Sequence, residues 1–528
     1  MRDFERPGRS DAFGVSGMAA TSQPQATLAA IEVLRAGGNA VDAAVAAAAL
    51  LAVIEPTQTG IGGDCFALLK REGQAIVAIN GSGAAPAAES TERHVEDGAT
   101  ELDRESAHAV TVPGAVRTWA RLVEDHGTFD WARLLGPAIE AAENGYPVTE
   151  RLARDWSMQV AKLSRHAVAA SIFLQDGKSP AAGDLHVQGV LGRTLRDISN
   201  QGPDAFYEGW IAEDIVSTLQ TLGGLHTRDD LAAFRPRYVT PISSSYREFE
   251  LWECPPNGSG ITALAMASLL ERCDVSRFAP VSVERFHLQA EIGRLAYAER
   301  DVFVCDPDTG ETPVEHLISP ARATALSRRL SLDARLVDLA PLPVPEHKDT
   351  VFLTIVDRDR TVVSFINSIF DDFGSGIVAP KSGVLLHNRG SGFVLDPGHP
   401  NALAGGKRPM HTILPAMLTR DDEVVLSFGV TGGHFQPIGQ VQILSNLIDY
   451  GMSVQEAIDL PRMFARGDVF HVEDAVPGDV VNGLRALGHQ PTRAPNPLGT
   501  AQAIWIDRKR GLLRGGADSR RDGVAIGY

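Results

Sequence analysis

His347-Lys348-Asp349-Thr350-Val351-Phe352-Leu353-Thr354-Ile355-Val356-Asp357 is a charged loop that passes abruptly into an apolar run. The run is rich in β-branched residues and ends at Asp357-Arg358-Asp359-Arg360, after which a second apolar stretch follows. This pattern predicts a hairpin of two buried strands over 351–356 and 361–369. Its first residue carries the chemistry. A threonine hydroxyl is a weak nucleophile without an adjoining base, and a cut before Thr350 would release an α-amino group to act as one. An α-amine titrates near pH ~8, so much of it is neutral at cellular pH. Taken alone, Asp349-Thr350 reads as an ordinary strand start, and the rest of the chain has to decide.

Upstream, residues 339–347 carry three prolines and no periodicity, which predicts an exposed connector. The part before it reads as helix-rich. Residues 1–20 read as a mobile arm leading into a first strand. Ser22 is placed to cap a helix to about residue 35, stopped by Ala36-Gly37-Gly38, and Asn39 or Ala40 opens an alanine-rich helix to about 53. A glycine-rich turn at 57–64 leads into strands at 66–70 and 75–80. Helices are predicted over 116–126, 131–144, 148–162, 190–201, 205–222, 261–272 and 283–304, with a proline-rich interruption near 235–257. The part after the connector reads as strand-rich, with strands over 383–387, 412–418, 424–429 and 501–507 and a helix over 437–450. A helix-rich first part and a strand-rich second part opening on a catalytic residue suggest layered α-β-β-α packing.

The bulk numbers exclude several classes. The chain has 528 residues, 44% hydrophobic and 22% charged, a globular balance. A net charge of −17 argues against nucleic acid or an anionic membrane as partner. Cys65, Cys254, Cys273 and Cys305 form no CxxC pair, so reduced thiols are expected. The first residues lack the apolar core of a signal peptide, and the apolar run 41–54 is short for a membrane span and contains Asp42. These features predict a soluble, cytoplasmic protein.

The motifs around Thr350 then form an ordered series. Asp349-Thr350, Phe373-Gly374-Ser375-Gly376-Ile377-Val378, Ser382-Gly383-Val384-Leu385-Leu386, Gly406-Lys407-Arg408-Pro409 and Thr431-Gly432-Gly433 lie in the second part. Ala36-Gly37-Gly38-Asn39-Ala40-Val41-Asp42-Ala43, Thr59-Gly60-Ile61-Gly62-Gly63, Val112-Pro113-Gly114-Ala115-Val116, Pro255-Pro256-Asn257-Gly258-Ser259-Gly260 and Cys305-Asp306-Pro307-Asp308 lie in the first. Each is weak alone. In this order they resemble the γ-glutamyltranspeptidase family of N-terminal-nucleophile (Ntn) hydrolases across nearly the whole chain. The resemblance implies an α+β fold, a four-layer αββα sandwich assembled from the two subunits of one precursor. Cleavage between Asp349 and Thr350 would give a large subunit, 1–349, and a small subunit, 350–528, which stay tightly associated. A homodimer of such heterodimers is also open to it. Thr350 is the implied nucleophile, Ser368 the hydroxyl that bonds it, and Gly432 and Gly433 the backbone donors to the oxyanion. The loop Gly60-Ile61-Gly62-Gly63 lacks the Lys-Ser/Thr of a phosphate-binding P-loop. No cofactor is expected.

The sequence also departs from the family pattern. Arg389 and Gly392 stand where γ-glutamyl enzymes carry a glutamine and an aspartate, so the counter-charge for a substrate α-ammonium group is missing. Phe370 replaces an asparagine, and His411 and Thr412 replace paired serines. The family's carboxylate-binding arginine falls near Thr91, with the role of the neighbouring Arg93 left open. The segment between Phe393 and Lys407 is short for a lid. These changes make the site richer in Arg and His, with Arg389, His411, Thr412, His434 and Phe370 as candidate substrate contacts and His387 near them. A forked arginine suits a small carboxylate. His387, His411 and His434 lack metal-ligand spacing and are expected to bind no metal. The resulting expectation is a self-processing threonine amidohydrolase that cleaves the amide of a small carboxylate-bearing substrate through an acyl-enzyme, with water as acceptor. It is closer to the oxamate amidohydrolase-like branch than to glutathione-cleaving members. A γ-glutamyl hydrolase or transpeptidase, a β-lactam side-chain acylase and an unprocessed, non-catalytic binding protein are the rival readings.

Overall fold

The computed structural model describes residues 5, 8–337, 339 and 350–528. Asp349 and nearly all of the proline-rich connector lie outside the described residues.

The predicted hairpin forms at the centre of the molecule. Val351–Val356 pairs antiparallel with Val362–Ser368, Val351 opposite Asn367 and Val356 opposite Val362. Asp357 closes the turn by accepting from the N–H groups of Asp359 and Thr361. This hairpin is the core of an antiparallel seven-stranded sheet. Its order is Val524–Gly527, Met18–Thr21, Val351–Val356, Val362–Ser368, Asp64–Lys70, Val77–Gly81 and Arg237–Val239. A second antiparallel sheet of seven strands runs Ala12–Gly14, Leu512–Ala517, Ala501–Asp507, Glu423–Val430, Ala416–Arg420, Phe249–Glu253 and Ile242–Tyr246.

Side-chain alternation stacks these sheets into four layers. Val351, Leu353 and Ile355 join a core shared with the helices Pro24–Arg35, Ala40–Ile54, Ala115–His126 and Trp131–Asn144. Phe352, Val356, Val362 and Ile366 point the other way, into a core with Met417, Val424 and Ile504 of the second sheet. The outer face of that sheet, through Leu418, Leu426, Phe428 and Ala503, packs on the helices Gly260–Leu270, Val283–Phe303 and Gln436–Ile448. The predicted αββα sandwich is therefore present. Segments 1–349 and 350–528 are not separate bodies, because each sheet draws strands from both.

Several expectations are corrected. The supposed arm supplies strands to both sheets, Ala12–Gly14 and Met18–Thr21. Ser22 does not cap the first helix; its hydroxyl bonds the buried Glu55 carboxylate. The 205–222 helix is split by Gly209 into Asp204–Tyr207 and Trp210–Thr221, and the 148–162 helix into Glu150–Ser157 and Val160–Leu163. The proline-rich interruption contains a two-stranded hairpin whose turn places Arg247 at φ +55°. Residues 383–387 form no strand. They make single bridges, Leu385 to Val378 and Leu386 to Gly62, because the partner there is a loop. All four cysteines are unpaired, as expected.

One motif proves to be a brace. Asn39 and Asp42 form a capping box on the Ala40–Ile54 helix. The buried Asp42 carboxylate also accepts from the Thr128 and Phe129 N–H groups and the Thr128 hydroxyl. Asp42→Ala would strand these donors, and we expect a loss of about 2–4 kcal/mol in urea unfolding.

Candidate active site

The hairpin register sets the first contact. Ser368 pairs with Asp64 on the neighbouring strand, and Val351 pairs with Asn367, so one further step sets Thr350 beside Ser368. Thr350, Ser368 and Asp64 thus form a row across three strand ends, on the parity that faces the second sheet. Thr350 Oγ1 donates to Ser368 Oγ at 3.1 Å, and Thr350 is only 2% exposed. The Thr350 N–H donates to Gln58 Oε1 at 3.3 Å, and Gln58 Nε2 donates to Asp372 at 3.0 Å.

Arg389 ties this row together. It is fully buried, donates through Nη2 to Ser368 Oγ at 3.0 Å and through Nη1 to Thr412 Oγ1 at 3.0 Å, and its Nε lies 3.5 Å from Asp64. Its guanidinium stacks 4.0 Å from the centre of the Phe370 ring. Burial lowers its pKa to about 9 against the pull of Asp64 and Asp371, so it stays charged at neutral pH. Each terminal nitrogen keeps a second N–H beyond these bonds.

Asp64 is the anionic end of the cluster. His411 Nε2 donates to it at 2.9 Å, and His387 Nδ1 lies 3.3 Å away. Burial pushes its carboxyl up, but His387 and His411 more than reverse this and hold it well below the usual range. Burial and the nearby Arg389 pull His411 down to about 3, so it is neutral. His387 Nε2 reaches back to the Thr111 carbonyl at 2.8 Å. Both histidines therefore serve a carboxylate, and among the described residues they form no metal-ligating group with His434.

The second sheet brings the glycine pair. Thr354 Oγ1 meets Ser427 Oγ at 2.6 Å, and a Cβ on Gly429 would come within 2.4 Å of the Phe352 ring. Stepping by two toward Thr350 on one strand is thus stepping by two toward Thr431 on the other, which leads directly to Gly432 and Gly433. Gly432 and Gly433 have φ of +105° and +56°, values that glycine adopts without strain. They precede the Gln436–Ile448 helix, and neither N–H donates to an acceptor among the described residues. A helix N-terminus with unengaged N–H groups is suited to developing negative charge. His434 follows them, and its Nδ1 accepts from Arg300 at 3.1 Å.

Phe370 is held at φ +80°, unusual for a buried aromatic residue, and its N–H donates to Ser368 Oγ at 2.9 Å. Beside it, Arg104 Nη1 donates to both carboxylate oxygens of Asp371, at 3.0 and 2.8 Å, and Arg104 lies 5.7 Å from the Phe370 ring centre. Arg93 is exposed, and Thr91 is buried with its hydroxyl on the Leu403 carbonyl.

The structure therefore brings Thr350, Ser368, Arg389, Phe370, Thr412 and His411 into one cluster. It adds Asp64, Gln58 and Arg104, which the sequence reading missed. Asp64 follows the motif Thr59-Gly60-Ile61-Gly62-Gly63 by one residue, and Gln58 precedes it by one. That loop is a packing device rather than a phosphate cradle, since a Cβ on Gly63 would sit 2.3 Å from the Ser368 carbonyl. Other motifs pair across the two segments: Arg408 bonds Asp306, Asn257 Nδ2 donates to the Pro409 carbonyl at 2.8 Å, and Ser259 to the His411 carbonyl at 2.6 Å.

Two face-to-face antiparallel sheets between helical layers, with a threonine opening a central strand, define the N-terminal-nucleophile hydrolase fold. The family model described as Gamma-glutamyltranspeptidase matches residues 26–528, and the chain belongs to that family. It is 36% identical to the glutathione hydrolase-like YwrD proenzyme of Bacillus subtilis, over 98% of this chain and 99% of the relative. It is 33% identical to the oxamate amidohydrolase proenzyme of Klebsiella pneumoniae, over 97% of this chain and 98% of the relative. The solved cephalosporin acylase from Bacillus halodurans superposes with a TM-score of 0.92 at 37% identity, covering 100% of this chain and 99% of that one. The protein is accordingly an enzyme, a hydrolase of the γ-glutamyltranspeptidase family. Among the described residues no helix is long and apolar enough to cross a membrane.

The buried histidine has a measurable consequence. His411 titrates near 6.5 when unfolded and near 3 when folded, so the unfolded chain binds the extra proton between these values and stability falls as pH drops through this window. His411→Asn should make the slope of unfolding free energy against pH shallower by about one proton between pH ~6 and ~4. Urea titrations at a series of pH values measure it.

Proposed function

We propose that the chain is a self-processing threonine amidohydrolase acting on the amide of a small, carboxylate-bearing acid. The observation that carries this reading is the bond from Thr350 Oγ1 to Ser368 Oγ, with Arg389 on the same serine oxygen. Cleavage of Asp349-Thr350 would free the Thr350 amine. That amine takes the hydroxyl proton as Oγ1 attacks the substrate carbonyl, and returns it to the leaving nitrogen. The Gly432 and Gly433 N–H groups receive the oxyanion. Water then attacks the acyl-enzyme ester, releasing the acid and restoring Thr350. The proenzyme names of the relatives support processing, and the shared sheets would keep the two fragments together.

The substrate class follows from charge. No acidic group occupies the Gly392 position to meet an α-ammonium. The spare N–H groups of Arg389, with Phe370 beneath them, can take a carboxylate in a fork. The oxamate amidohydrolase among the relatives supports this choice. The cephalosporin acylase likeness favours a second reading, a side-chain acylase for a bulkier acyl group.

Denaturing electrophoresis with N-terminal sequencing tests processing. The wild type should give two fragments, the smaller beginning at Thr350, and Thr350→Ala should stay intact; an intact wild type would sink the proposal. Activity on oxamate, glutathione, a γ-glutamyl anilide and a cephalosporin side-chain amide separates the substrate readings. In the processed enzyme, Ser368→Ala should lower kcat by about 10- to 100-fold, the worth of a hydrogen bond within a charged network. Arg389→Ala should raise KM for the carboxylate-bearing amide, and an unchanged KM would refute the carboxylate assignment.

A further inference from the structure

A second cluster lies away from Thr350. Glu89, His94 and His108 converge so that one ligand atom from each falls within 4.8 Å of the others. Glu89 Oε2 is 3.0 Å from His94 Nε2, and Glu89 Oε1 is 2.6 Å from His108 Nδ1. The imidazole rings meet edge to face, their centres 4.9 Å apart. The Glu89 side chain is fully buried, while the His94 and His108 side chains keep 12% and 23% exposure.

We propose that Glu89, His94 and His108 form a divalent transition-metal site, a two-histidine, one-carboxylate set with solvent completing the coordination. Imidazole nitrogen and carboxylate oxygen are the donors that zinc favours outside thiolate sites, and three protein ligands leave one tetrahedral position open. Zinc at its usual bond lengths sets ligand atoms about 3.3 Å apart; the two histidine–carboxylate contacts here, 3.0 and 2.6 Å, would open by a few tenths of an ångström to roughly that spacing. The partly exposed imidazoles give an ion access, and the buried carboxylate supplies the compensating charge.

The site has a place in the fold. His94 sits on the helix Thr91–Glu96 and His108 on the turn Ala107–Ala109. Glu89 lies just before that helix, where the isolated bridge between Ser90 and Ala404 docks the chain on the second segment. The turn carrying His108 packs against the loop of Arg389, where a Cβ on Gly390 would lie 2.8 Å from the Ala109 carbonyl and 3.1 Å from that of His108. A bound ion would cross-link residues 89–108 and brace the wall behind Arg389.

Metal uptake by the untagged full chain tests this. After removal of metal by chelator, incubation with Zn2+ and exhaustive dialysis, the wild type should hold one equivalent per chain at this site. Co2+ should give the visible absorption of a four-coordinate site. The double variant His94→Ala/His108→Ala, checked for folding by its metal-free thermal transition, should lose that equivalent and the Co2+ band, and Glu89→Gln should weaken both. Wild-type protein that holds no stoichiometric zinc, or that holds as much as the double variant, would overturn the proposal in favour of a proton-bridged triad. Neither result depends on Thr350 chemistry.

Discussion

The buried Asp64 carboxylate is the constraint on which the site rests. A lone charge cannot stay ionised in a dry core, and removing one partner from a buried pair costs about 3–5 kcal/mol. Asp64 is fully buried and is met by Arg389, His411 and His387. Arg389 lies 3.5 Å from the carboxylate on one side, and the two imidazoles close on it at 2.9 and 3.3 Å. Because Arg389 is held from behind, its Nη2 and Nη1 are committed to Ser368 and Thr412. Ser368 in turn receives the Thr350 hydroxyl. The orientation of the strand-opening threonine is thus set by an ion pair two strands away.

Three of these residues owe their meeting to register. Thr350, Ser368 and Asp64 terminate adjacent antiparallel strands, and a one-residue slip would turn the row toward the helices. The apolar alternation prevents the slip. Phe352 and Ile366 fill the space between the sheets, while Leu353 and Phe365 fill the space beneath the helices. The glycines act at the same scale. Gly63 lets its loop lie against the Ser368 carbonyl, and Gly429 makes room for the Phe352 ring.

The legible part of the sequence was the local part. The hairpin, the Trp131–Asn144 helix and the Ala501–Asp507 strand follow from periodicity and turn residues, and the structure forms them at or within a residue of the expected bounds. Thr350 was a candidate at the loop-to-strand junction only through the ordered motifs around it, since alone it reads as an ordinary strand start. Asp64 was not, because a lone aspartate before Cys65-Phe66 looks like a turn residue until the partners from 387–411 arrive. Arg104 was hidden likewise, and Arg93 drew attention only by its nearness to Thr91. The 383–387 run reads as a strand because its alternation is real, yet its partner is the Gly62 loop, so only isolated bridges form. Motifs such as Arg408-Pro409 and Cys305-Asp306 gained meaning as a pair, since the buried arginine and aspartate satisfy each other across the two segments.

Charge balance links this architecture to the proposed substrate. In the unbroken chain Asp64 and Arg389 cancel, His411 is neutral, and Arg104 is taken by Asp371. These two ion pairs therefore add little net charge beside Thr350, and the Asp372 carboxylate accepts from Gln58 and Gln159. Cleavage before Thr350 would add one α-amine, a group that is partly cationic near neutral pH. A substrate ammonium would then meet a like charge, while Asp64 and Asp371 are already engaged with Arg389 and Arg104. A substrate carboxylate would instead find the second N–H groups of Arg389 and the cationic fraction of the new amine. The proposed preference for an anionic amide would on this view be a consequence of how the buried ion pair is already satisfied.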